Sequence, residues 1–164
     1  MFRRHGVSPT AFELEITETT LMADAKRTLR LLDELYAMGL HLSIDDFGTG
    51  YSSLSALQQF PIDTLKIDQS FVRDVGENAG NATLVRTIIE MGRNLEMEVI
   101  AEGVESVSQL EFLRRNGCHY AQGRLFGEPL KAEELLGLLQ RQMASGAAFR
   151  RYAPDATVVA VGGD

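Results

Sequence analysis

Four acids and one lysine stand at the ends of short apolar runs: Glu15 in "ELEIT", Asp45 and Asp46 in "HLSIDD", Lys66 in "TLKID" and Glu102 in "EVIAEG". Carboxylates without clustered His or Cys are hard oxygen donors, which select Mg²⁺, Mn²⁺ or Ca²⁺ over zinc. A carboxylate that bridges two such ions about 3.5–4 Å apart is a common way to activate water for phosphoryl transfer. Asp45 and Asp46 suit that task because they sit where strand gives way to loop, so both side chains can reach one mouth. In mid-strand they would point to opposite faces. Two adjacent carboxylates repel by roughly 4 kcal/mol at 4 Å in an effective dielectric of about 20, so a cation between them or a proton on one of them is expected. Lys66 is the cation of the set. Beside bare carboxylates its pKa should rise and it should be a plain ion-pair partner. Divalent ions nearby reverse that sign and let it hold or deprotonate an attacking water.

Any one of these acids alone is explained by a solvated strand end; their joint occurrence at successive strand ends is what points to a site. Cys118 and His119 resemble a metal pair, but neighbours on a strand face opposite ways, so they read as a buried thiol and an ordinary histidine. His5 and His41 receive no role.

The elements that must position these side chains alternate. Strands are expected at 11–17, 41–45, 64–68, 98–103 and 119–123, and helices at about 23–38, 53–59, 81–95, 106–116 and 133–143. Gly39 and Gly117 stop two of the helices, and Ser106 with Gln109 has capping-box spacing. Regular alternation means βα units and a parallel sheet. Glu18, Glu105 and Gln122 join the polar residues at the strand ends. Chemistry spread over several strand ends fits a βα barrel better than a doubly wound sheet, which wants a glycine-rich turn after its first strand. A closed eight-unit barrel takes about 250 residues. About five units are legible here, so an incomplete TIM-like α/β barrel is expected over 1–140. Residues 141–164 read as a flexible extension in preference to one more strand.

A chain of 164 residues with 45% hydrophobic content can bury a real core. The net charge of −7, without a basic stripe, argues against DNA or RNA polymers as partners. One cysteine permits no internal disulfide, and no secretory or membrane-spanning segment is evident. A cytoplasmic location is expected.

With these residues in place, the chain resembles the EAL family, phosphodiesterases of the bacterial messenger cyclic di-GMP. The matching motifs are "ELEITET", "IDDFGTGYSSL", "PIDTLKIDQSFV", "VIAEGVE" and "AQGRLFGEPL", in the family's order and over roughly Gly6 to Leu139. The resemblance implies metal ligands at Glu15 and Asp45, the latter bridging, with Asp46 and Glu102 serving a second metal and its water. It implies that Lys66 contacts the attacking water, that Glu18 anchors the "DDFGTG" loop, and that Glu105 and Gln122 lie near metal and substrate. It further implies a modified βα barrel, Mg²⁺ or Mn²⁺ as cofactor, opening of cyclic di-GMP to linear pGpG, and frequent dimers formed after the paired aspartates.

The sequence also departs from the family. The Glu-Ala-Leu stretch and an early asparagine ligand are absent, Arg124 stands where an aromatic is usual, and Glu128 stands where a base is usual. Weakened metal binding is therefore expected, along with an open sheet edge completed by a second copy or by an N-terminal partner segment. An acid at 128 should repel a phosphate. The leading reading is an EAL phosphodiesterase region; the alternative is a catalytically inactive relic that binds nucleotide or protein. A metal-dependent lyase using Lys66 as base is a third reading, which "FGTGYSSL" disfavours.

Overall fold

The computed structural model describes residues 6–50 and 54–145. Five parallel strands form one sheet in the order of the sequence: β1 (Glu13–Thr17), β2 (His41–Phe47), β3 (Thr64–Ile67), β4 (Glu98–Ala101) and β5 (Tyr120–Ala121). Each strand is followed by helix: α1 (Glu18–Ala23) and α2 (Ala25–Ala37) after β1, α3 (Leu54–Leu57) after β2, α4 (Gln69–Arg73) and α5 (Ala79–Asn94) after β3. Then come α6 (Val107–Arg115) after β4 and α7 (Ala132–Ser145) after β5. The α/β class and the open, barrel-type sheet follow the expectation. The strands agree to within a few residues, β2 running on through Asp46 to Phe47. The short helices α1 and α4 were not foreseen; α1 starts directly after β1 and α4 one residue after β3. Of the tail expected at 141–164, residues 146–164 lie outside the described part, and α7 runs on to Ser145.

Alternation along the strands sorts the two faces. The register aligns Ile16 with Ile44, Ile44 with Leu65, and Leu65 with Val99. These residues, with Leu42, Ile67 and Ala101, pack against Leu21, Leu32, Leu57, Val72, Val85, Ile88, Ile89 and Leu113 from the helices. The helices approach closely: a Cβ on Gly92 of α5 would lie 2.3 Å from a Val99 methyl. The alternate positions carry Glu15, Ser43, Thr64 and Lys66, the last three buried. Period 2 therefore gives β1, β2 and β3 an apolar face toward the helices and a polar face that collects charge.

Candidate active site

Lys66 sits in the middle strand, buried, with its ammonium met by acids from β1, from β2 and from the end of β4. Its Nζ lies 2.6 Å from Glu15 Oε1, 2.8 Å from Glu102 Oε1 and 3.5 Å from Asp45 Oδ1. Glu15 comes from β1, Asp45 from β2 and Glu102 from the residue after β4, whose N–H donates to the Ile67 carbonyl at 3.2 Å. Burial alone pulls the lysine pKa down, but hydrogen bonds to Glu102 and Glu15 and the charges of Glu102 and Asp45 more than reverse this, so it stands above the ordinary lysine value. Burial lifts the Glu102 pKa; Lys66 opposes the rise, and the charges of Asp45 and Glu15 add to it. One ammonium cannot neutralise three carboxylates, so the cluster stays net negative.

Asp45 and Asp46 are set apart in their surroundings by an irregularity in the strand, while Asp46 stays close enough to feel the charges of Asp45 and Lys66. The pairing of β2 with β3 slips between Ile44 and Phe47, and Asp46 takes φ of 52°. This bulge leaves Asp45 beside Lys66 and turns Asp46 out toward Asp68. Burial raises the Asp46 pKa, and the charges of Asp45 and Asp68 and a hydrogen bond to Asp68 raise it further. Asp68 was given no role from the sequence. Its Oδ1 also caps α4, accepting from the Ser70 N–H at 3.0 Å and from the Ser70 hydroxyl. The signal was present in "KIDQS", an aspartate two residues before a serine at a helix start.

Glu18 opens α1, buried below the loop after β2. Its Oε2 accepts from Gly48 N–H at 2.9 Å and Gly50 N–H at 3.0 Å. Gly48 takes φ of 103°, and a Cβ there would lie 2.9 Å from the Phe71 ring, so only glycine fits without strain. Residues 51–53 of the same motif, and the dimer contact expected after the paired aspartates in part with them, lie outside the described residues. Glu105 and Gln122 lie on two loops joined by a Val104 N–H to Gln122 carbonyl bond of 2.9 Å. Glu105 Oε1 is 3.5 Å from Arg124 Nη1, and Glu128 Oε2 is 3.8 Å from Arg124 Nε. The acid at 128 thus has a guanidinium beside it. Cys118 is largely buried, its S–H directed at the Tyr120 carbonyl at 3.3 Å, and His119 is exposed. A hollow of about 520 Å³ lined by Tyr36, Phe60, Asp63 and Glu96 lies at the opposite ends of β3 and β4 and touches none of these residues.

Among the described residues no group of three or more His, Cys, Asp or Glu side chains is arranged as a ready metal cage. The donors nevertheless suit a hard cation: three carboxylates already converge on one positive charge, for which the Lys66 ammonium is the stand-in. A divalent ion would take oxygens from Glu15, Asp45 and Glu102 in exchange for that ammonium.

Parallel βα units with acids and a lysine gathered toward the carboxyl ends of the strands define an α/β scaffold of barrel type. The chain belongs to the EAL domain family, whose profile matches residues 1–129. It is 47% identical over 133 residues to the bifunctional diguanylate cyclase/cyclic di-GMP phosphodiesterase MucR of Pseudomonas aeruginosa, covering 81% of this chain and 19% of that protein. The solved MucR phosphodiesterase in complex with cyclic di-GMP superposes with a TM-score of 0.80 at 46% identity, over 82% of this chain and 54% of that one. Klebsiella pneumoniae BlrP1, solved with cyclic di-GMP and either calcium or manganese, gives a TM-score of 0.71 at 33% identity, over 77% of this chain and 32% of that one. The chain spans about a fifth of MucR and about half of its solved phosphodiesterase region. Among the described residues no helix is long and apolar enough to cross a membrane.

Proposed function

We propose that this chain carries the water- and metal-handling part of a cyclic di-GMP phosphodiesterase that opens the cyclic dinucleotide to linear pGpG. One observation carries the reading: three carboxylates from separate strands converge on the buried Lys66 at 2.6, 2.8 and 3.5 Å. The likeness to MucR and BlrP1 supplies the substrate class, and the donor set supports Mg²⁺ or Mn²⁺ as cofactor. A divalent ion bound there would neutralise phosphate charge and make water more acidic. Glu15, Asp45 and Glu102 would hold it. Asp46, braced by Asp68, would serve a second ion in its ionised form. Lys66, released from its pairs, would orient the attacking water. The water oxygen bonds to phosphorus and gives up a proton, one P–O ester bond breaks, and the freed ribose oxygen takes up a proton to become a hydroxyl. Glu18 holds the loop after β2, and Glu105 and Gln122 line the substrate side.

The domain is taken as residues 1–140, with 141–164 an extension, working in the reducing cytoplasm that a single buried thiol suits. The uncovered side of β1 is where further βα units would join in parallel. Pairing with a second copy along β1 would bring Glu13 and Glu15 of both copies together, which favours an N-terminal partner segment over a homodimer at this edge.

The engagement of Glu15, Asp45 and Glu102 by the Lys66 ammonium favours a second reading, an inactive relic that binds nucleotide or protein and regulates. Chromatography of cyclic di-GMP incubated with the chain and Mg²⁺ or Mn²⁺ separates the two. Linear pGpG, lost in Asp45→Asn, supports the enzyme; calorimetric binding without product supports the relic; neither product nor binding overturns both.

A further inference from the structure

The loop after β5 places one more cation at the rim of this site. Its backbone is clamped to the segment leaving β4: Val104 N–H donates to the Gln122 carbonyl at 2.9 Å and Leu125 N–H to the Val104 carbonyl at 3.0 Å. Gly123 makes the clamp possible, with φ of 154°, since a Cβ there would lie 2.3 Å from both Val104 N and O. Arg124 is therefore fixed at its backbone two residues from Gln122 and beside the turn that carries Glu102 and Glu105. Its side chain is 69% exposed.

The charges around it are lopsided. Glu15, Asp45, Asp46, Asp68, Glu102 and Glu105 surround the site, and Lys66 is already engaged by three of them. A cyclic dinucleotide brings two phosphodiester charges of its own. Arg124 meets Glu105 at 3.5 Å and Glu128 at 3.8 Å, longer than the roughly 2.7–2.9 Å of a tight charge-assisted bond. Exposed pairs of this kind are weak and readily exchanged. The planar guanidinium has donors to spare and matches two oxygens of a phosphate.

We infer that Arg124 is a substrate-binding residue that leaves Glu105 and Glu128 for a phosphate of the dinucleotide, with Glu128 as the competitor that limits its hold. This rests on the cyclic di-GMP reading above. The test is calorimetric titration of the full chain with cyclic di-GMP and Mg²⁺, at low and high salt, for wild type, Arg124→Gln, Arg124→Lys and Glu128→Gln. The expected result is about tenfold weaker binding in Arg124→Gln, partial recovery in Arg124→Lys, and severalfold tighter binding in Glu128→Gln. The Arg124→Gln deficit should shrink at high salt. Wild-type binding left unchanged by both Arg124→Gln and Glu128→Gln overturns the role of Arg124 alone. Absence of wild-type binding overturns the cyclic di-GMP reading and Arg124's role with it.

Discussion

At the scale of single residues, Lys66 decides the state of the site. It is one positive charge among three carboxylates, so without metal it behaves as a structural cation. Lys66→Met should leave Glu102 and Asp45 half-buried and uncompensated, lowering metal-free stability by roughly 2–3 kcal/mol in urea melts. That is less than for a sealed pair because Glu15 is half-exposed. A pKa above the ordinary lysine value means the pairs hold fully below about pH 10 and fail as pH rises through the folded value. The Lys66→Met deficit should therefore be no larger at pH 6 than at pH 8, since without Lys66 the Glu102 pKa rises further and its protonation relieves the unpaired charge. Added Mg²⁺ should raise the melting temperature of the variant more than that of wild type. Cys118 offers an independent check. Burial pushes its thiol up to about 11, against weaker backbone hydrogen bonds that favour the thiolate. Alkylation of the native chain at pH 8 should be at least tenfold slower than of the urea-unfolded chain, its rate climbing with pH toward 11; equal rates would contradict this burial.

At the scale of elements, what matters is how loops are tied to the sheet. Glu18, at the first position of α1, accepts two glycine N–H groups from the loop after β2. Glu18→Gln removes the charge yet keeps one oxygen, so a loss of about 1–2 kcal/mol is expected, with faster hydrogen exchange at Gly48 and Gly50. Exchange unchanged at those amides would remove Glu18 from the loop. The α6 helix depends on its start. The Ser106 hydroxyl accepts from Gln109 N–H at 3.3 Å, while the Gln109 side chain accepts from Ser106 N–H at 2.9 Å. Ser106→Ala should cost about 1 kcal/mol in denaturant melts without altering metal response, since the box lies outside the carboxylate cluster.

At the scale of the whole molecule, among the described residues β1 is the edge of the sheet. β1 pairs on one side with β2, and its five residues are all exposed or only partly covered, where those of β3 are all buried. Phe12 and Leu14 at this edge, and Leu135, Leu136 and Leu139 on α7, leave large apolar side chains in water. An uncovered edge beside exposed apolar groups invites association. The isolated chain should bind a hydrophobic dye and sediment as concentration-dependent species, and Leu14→Lys should reduce both. A single monomeric boundary without dye binding would contradict an unfilled edge.

Much was determined locally, because strand and helix periods are properties of neighbouring residues. The alternation of "ELEIT", "HLSID", "TLKID" and "EVIAEG" with longer amphipathic stretches gave the parallel sheet and put Glu15, Lys66 and Glu102 at neighbouring strand ends. The capping box at Ser106 was equally readable. Other features depended on distances between segments far apart in the chain. Sequence could not show that the β2–β3 register would slip at Asp45 and Asp46, that Asp68 would be a neighbour of Asp46, or that Arg124 would lie between Glu105 and Glu128. Nor could it show which oxygens meet the Lys66 ammonium. Periodicity fixes which face a side chain takes, but only the packing of strands, bulge and loops sets the few ångströms over which charges bind.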